Sequence, residues 1–286
     1  MMHMRLVLPV YLLTLFASPG NAQEQNALPK AIAEAKALQQ ANGDAVRDSI
    51  SAALKATLRE VLSRPDALTI PLTDLPLSRV EAPDGSFRLI TWNVPRTDGT
   101  HRYEGLLLHR QGSRTILTEL KDGTAAITAP EVPELGPERW YGALYYEVVP
   151  VRKGGKVWYT LLGWKGHSKV ETRKVIDVLH FKGGQPRFGA PLFGEGRIRR
   201  TRQVFGFSFQ ATMMLRHEPQ LGRIVLDHLS PTRGDLEGQR AFYGPDLSYD
   251  AYVWDKDHWR FERDIDARDM RKPDRPFNTP PPEPRR

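Results

Sequence analysis

Between Trp140 and Phe193 the chain reads WYGALYYEVVPVRKGGKVWYTLLGWKGHSKVETRKVIDVLHFKGGQPRFGAPLF, a succession of β-branched and aromatic runs, each stopped by glycine. No 3.6-residue apolar period runs through it, so successive antiparallel strands are the structure it permits. The spacing predicts strands over 143–152, 156–164 and 172–181, with hairpin turns at Lys153-Gly154-Gly155 and Gly183-Gly184. By alternation Leu144, Tyr146 and Val148 share one face and Tyr145, Val149 and Val151 the other, while Trp158 and Leu162 face away from Tyr159 and Leu161. Strands apolar on both faces need a covering layer on each side.

The same strand grammar extends in both directions. Asp-Gly turns at 84–85, 98–99 and 122–123 punctuate strands over 87–94, 101–110 and 114–120. The Pro83-Asp84-Gly85 entry also looks like the start of a β-propeller blade strand. Downstream, Phe205, Phe207, Phe209, Ala211, Met213 and Leu215 alternate with smaller or polar residues and predict one continuous strand. A strand over 223–229 and a final pair over 249–254 and 258–265, joined by Asp255-Lys256-Asp257, complete an antiparallel set.

Two helices precede this region. The first is expected over 30–41, stopping at Asn42-Gly43. Asp44 is read as the cap of a second, in which Val46, Ile50, Leu54, Leu58 and Leu62 form an apolar stripe with Ala53, Thr57 and Val61 beside it. Residues 65–83, with four prolines among leucines, read as an extended connector packed on the core. The resulting expectation is an all-β domain over 65–266 behind a short N-terminal α-helical segment over 23–64. An antiparallel meander forming a propeller-like stack of small sheets is the first choice, and a large β-sandwich or barrel the second.

The first 22 residues have the layout of a signal peptide: a basic start ending at Arg5, an apolar stretch over 6–17, and Gly20 and Ala22 before the expected cut. The apolar stretch is too short to span about 30 Å of hydrocarbon. The mature protein is therefore expected to be periplasmic or secreted, with no transmembrane segment after signal removal. The chain has no cysteine, which excludes disulfides, thiolate catalysis and thiolate metal sites. Its net charge of +7 is spread among 34 acidic residues. Export takes the chain away from nucleic acid, so an anionic envelope polysaccharide, a lipid surface or an envelope protein is the expected partner. Residues 267–286, dominated by Arg, Asp and Pro, form a tail expected to be disordered.

No strong catalytic motif is present: no Gly-x-Ser-x-Gly, no zinc-type histidine pair, no phosphate loop and no full calcium loop. Neither a metal nor another cofactor is called for. The candidates for chemistry are Asp177, Asp227, His228, Asp246 and Asp250, since two carboxylates in different environments can act as acid and base on a glycosidic bond. Tyr243, Tyr249 and Trp254 are candidates for stacking on sugars. The run Arg197-Ile198-Arg199-Arg200-Thr201-Arg202 offers Arg199 and Arg200 for an anionic group.

Taken together, WYGALYYEVVPV, YTLLGW, RKVIDVLHF, FGAPLF, VLDHLSP and YGPDLSYDAYVW, with PDGSFRLITWN, make the chain resemble a group of uncharacterised exported proteins of Gram-negative bacteria. The resemblance covers most of residues 65–265 and implies export and a shared β domain, without an activity. The leading expectation is a non-enzymatic binding or envelope-associated protein. The alternatives are a carbohydrate-active hydrolase using two of Asp177, Asp227, Asp246 and Asp250, and an anion-binding surface protein using Arg199 and Arg200.

Overall fold

The computed structural model describes residues 19–194 and 199–266. Most of the expected signal peptide, Arg197 of the arginine run and the tail over 267–286 lie outside the described residues. Two helices lead, α1 (Pro19–Gln40) and α2 (Asp44–Leu62). Thirteen described strands follow. They are β1 (Ser78–Glu81), β2 (Phe87–Pro95), β3 (His101–Gln111), β4 (Arg114–Lys121), β5 (Leu144–Lys153), β6 (Lys156–Gly166), β7 (Glu171–Lys182), β8 (Gln185–Phe188), β9 (Gln203–Ser208), β10 (Leu215–Glu218), β11 (Arg223–Pro231), β12 (Tyr243–Asp255) and β13 (His258–Glu262).

The strands form three small antiparallel sheets, and none closes into a barrel. The first has the order β1-β2-β3-β4, the second β5-β6-β7-β8 with β9 also on β7, and the third β10-β11-β12-β13. Each sheet is thus a local meander built by a contiguous stretch of chain. The glycines at 154, 155, 183 and 184 all take positive φ, which is why these two hairpin turns fall where glycine stands.

The sheets pack face to face in chain order. Leu89, Tyr103 and Leu107 of the first sheet meet Tyr145, Leu161 and Val175 of the second in one core cluster. The opposite face of the second sheet, with Val149, Leu162 and Ile176, meets Ile224, Leu226 and Trp259 of the third. The helices cover the outer face of the first sheet, where Ala31, Ala35, Leu54 and Leu58 pack on Ile90, Trp92 and Leu106. The layer order is therefore helices, sheet, sheet, sheet. The two-faced apolar strands of Trp140–Phe193 form the middle layer, covered on each side as their composition demands.

Several local expectations are corrected. A β-bulge between Tyr145 and Glu147 inverts the alternation along β5. Tyr145 accordingly packs toward the first sheet with Val148, whereas Val149 and Val151 pack toward the third. The strand expected through Phe209 breaks there: β9 pairs with β7, β10 pairs with β11, and Phe209, 62% exposed, lies on the crossing between sheets. On α2 the four-residue stripe drifts around a helix of 3.6 residues per turn. Val46 is consequently exposed and Ser51 is buried, its hydroxyl accepting from Trp92 Nε1 at 2.9 Å. Asp44 is the first helical residue and makes no cap; its carboxylate accepts from Thr97 N and Oγ1 at 3.0 and 3.1 Å, tying α2 to the β2–β3 turn. Helix α1 begins at Pro19, ahead of the expected start, with Pro29 inside it. The connector does pack on the core through Ala67, Leu72 and Leu75, and it contains the unanticipated strand β1.

Candidate functional site

The sequence candidates separate into two groups. Asp177 is fully buried on β7, where it faces the first sheet. Its carboxylate accepts from Arg202 Nε at 3.1 Å, Tyr145 O–H at 2.9 Å and its neighbour Val178 N at 2.8 Å. No solvent reaches it, so it serves the packing of the middle layer and stands apart from the other carboxylates. Trp140 and Tyr145, the aromatics of the opening stretch, are core residues beside it.

Asp227, His228, Asp246 and Asp250 converge at an irregularity between β11 and β12. Asp227 pairs with Tyr249 and Leu229 with Pro245, so three residues of β12, Asp246 to Ser248, stand opposite His228 alone. Bulges of this kind re-aim side chains out of the ladder. Here the bulge puts Leu247 at φ 75° and turns the His228 ring between two carboxylates. Nδ1 lies 2.8 Å from Asp250 Oδ2 and Nε2 lies 4.0 Å from Asp246 Oδ2. Asp250 is nearly buried and its other oxygen accepts from Asp264 N at 3.3 Å. Asp227 accepts from Met214 N at 2.7 Å. The Ser248 hydroxyl holds the Asp246 carboxyl below its usual range, and His228 pulls the same way.

Beside this cluster a cavity of about 490 Å³ opens between β9 of the middle sheet and the third sheet. Phe205, Tyr252 and Phe261 form its aromatic side, with Tyr252 and Phe261 rings 5.0 Å apart. Burial pushes the Tyr252 hydroxyl well above the ordinary tyrosine range. Arg200, Arg240 and Arg263 line the same cavity. None of the three has a carboxylate within ion-pair distance among the described residues, although Arg240 rests on the Tyr243 ring at 4.9 Å. The cavity thus gathers three guanidinium groups against two carboxylates, Asp227 and Asp250, each of which accepts from a backbone N–H and neither of which is within ion-pair distance of the arginines.

No family model, curated protein or solved structure matches the chain. Among the described residues no group of three or more His, Cys, Asp or Glu can hold a metal ion. A second groove of about 520 Å³ lies between the connector and β5. Its cations are engaged: Arg88 Nε binds Glu81 at 2.9 Å and Arg88 also donates to the Ala67 and Ile70 carbonyls, while Arg79 donates to Leu75 O. It offers no comparable charge.

The remaining candidates fall outside the cavity wall. Arg199 is bound to Asp257 at 3.0 Å and His258 Nδ1 lies 3.0 Å from the same carboxyl; these two contacts, with Lys153 at 3.4 Å adding to them, hold it far below the usual range. Tyr243 is buried with its hydroxyl accepting from Gly238 N at 2.9 Å. Trp254 packs on Trp259 at 5.3 Å in the third core cluster, and Tyr249 is half-buried in the β12 ladder opposite Asp227. Sequence reasoning missed Arg240, Arg263, Tyr252, Phe205 and Phe261. The period-two spacing of Asp250 with Tyr252, and of Phe261 with Arg263, was the signal that places each pair on one side of its chain segment.

Proposed function

We propose that this protein is an exported, envelope-associated binding protein that holds an anionic ligand in the cleft between the second and third sheets. The observation that carries this reading is the trio Arg200, Arg240 and Arg263, which face one aromatic-sided cavity without carboxylate partners among the described residues. Unpaired guanidinium groups at a concave surface favour carboxylate, phosphate or sulfate, which they bind through paired N–H donors. A binding role is favoured over paired-aspartate hydrolysis because each aspartate already accepts from an internal donor: Asp177 from Arg202, Asp227 from Met214, Asp246 from Ser248, and Asp250 from Asp264 N with His228 beside it.

The test is retention on an immobilised acidic polysaccharide, polygalacturonate, against neutral dextran. The wild-type chain is retained on the acidic polymer and released as salt screens the contact. Replacing Arg240 and Arg263 together by Gln abolishes retention. Equal retention of the double variant, or release of new reducing ends from the polymer by the wild-type chain, overturns the reading.

A further inference from the structure

Three apolar side chains in the segments that border the cleft are exposed. Leu247 is 89% exposed, Phe242 45% and Phe261 38%. Of these only Phe261 lines the cleft; Phe242 follows the lining residue Arg240 by two positions in the chain, and Leu247 stands in the β11–β12 bulge opposite the lining residue His228. Leu247 also sits in the left-handed backbone region, φ 75°, which is unfavourable for a non-glycine residue. A leucine held there by the bulge and given entirely to solvent contributes no packing to the fold. Exposed apolar side chains in the segments flanking an arginine-bearing pocket match an amphiphile, with its charged head in the pocket and its apolar part beside it.

We propose that the ligand is the phosphate headgroup of an anionic membrane lipid, and that the protein docks on the bilayer surface with Leu247, Phe242 and Phe261 entering the interface. This rests on the reading of the cleft as an anion site and names the source of the anion. Surface docking draws on buried apolar area together with attraction of basic residues to the charged leaflet. A soluble acidic polymer uses only the second of these, and it leaves Leu247 in water. No described helix is long and apolar enough to cross a membrane, so the contact assigned here is peripheral.

The experiment is co-sedimentation of the chain beginning at Gln23 with vesicles of phosphatidylcholine alone or mixed with phosphatidylglycerol, alongside polygalacturonate binding by the same samples. Starting at Gln23 keeps the apolar leader from contributing. The protein sediments with the phosphatidylglycerol vesicles and remains in solution with phosphatidylcholine alone. Leu247→Asn lowers vesicle affinity about tenfold, the scale of one buried leucine. Polymer binding by that variant is unchanged. Asparagine adopts positive φ more readily than leucine, so the fold is retained and a loss cannot come from unfolding. Arg240→Gln lowers both vesicle and polymer binding. Polymer binding without vesicle binding, or undiminished vesicle affinity of Leu247→Asn, overturns the lipid assignment and leaves the anion cleft standing. Binding of neither probe removes both.

Discussion

Asp177 and Arg202, 25 residues apart in sequence, form an ion pair of 3.1 Å in which neither side chain is exposed. The guanidinium also donates to the Pro130, Pro133 and Phe188 carbonyls, so one buried cation joins the loop before β5 to two strands of the middle sheet. Gly189 completes the arrangement. It has φ 91°, and a Cβ there would stand 2.6 Å from Arg202 Nη2.

Removing one partner of such a pair leaves the other buried and uncompensated, which costs about 3–5 kcal/mol. Asp177→Asn should therefore lower the urea midpoint strongly. At temperatures where the variant is folded, its retention on polygalacturonate should equal wild type, because Asp177 lies outside the cleft. A variant of normal stability with lost retention would return Asp177 to the functional group.

Lys165 gives a pH-dependent prediction. Its ammonium is fully buried, donates to Thr124 Oγ1, Tyr141 O and Gly142 O at 2.7–2.8 Å, and lies 4.1 Å from the Tyr103 ring centre. Burial nevertheless outweighs the neighbouring Asp122 and pulls its pKa down to about 7. The unfolded chain holds this proton up to a pKa of about 10.4. Between the two values the unfolded state binds more protons, so raising the pH through that window favours folding, and lowering it toward 7 removes that gain. Relative to Lys165→Met, the wild-type chain should gain about 1.4 kcal/mol per pH unit from roughly pH 7 to 10. A difference between the two that is flat with pH would mean the ammonium stays charged in its cage of carbonyls and rings.

Arg199 and Arg200 are adjacent yet should behave differently. Arg199 is held by Asp257, whereas Arg200 faces the cleft. Arg200→Gln should weaken retention on the acidic polymer severalfold, on the scale of one charge-assisted contact. Arg199→Gln should leave it near wild type. Elution salt concentration, measured for both on one column, separates them.

Helix α2 is part of the core and no detachable appendage, since it shares a cluster with Ile90 and Trp92. Ser51→Ala strands the buried Trp92 Nε1 donor and should cost about 1–3 kcal/mol. Thermal unfolding of the variant should still show one transition in both far-ultraviolet dichroism and tryptophan fluorescence. Two separate transitions would indicate that the helices and sheets melt independently.

Local features of the fold were legible because they are encoded by neighbours. The glycine-bearing hairpins at 153–155 and 182–184 and the both-face apolar strands β5 to β7 require only a few adjacent residues. What failed depends on distant partners. The bulge at Tyr145/Glu147 flips the faces of β5 in response to β6, and the break at Phe209 exists because β9 and β10 join different sheets. The site divides in the same way. Asp227, His228, Asp246 and Asp250 were visible as polar residues on strand-like sequence, and β11–β12 pairing brings them together. The arginines come from three separate segments, and only the packing of the middle sheet on the third assembles them.

The sheets follow one another in the chain as they do in space, with the helices first. Each layer is complete once its own stretch has emerged, and it needs only the next stretch to cover its bare face. A synthesis interrupted after β9 would leave the middle sheet with Leu162, Ile176 and Val178 uncovered. Such a fragment is a substrate for quality-control proteases and a seed for self-association. Truncations should thus be tolerated between complete layers in proportion to how little apolar face they uncover. Loss of the third sheet bares one whole face of the middle sheet.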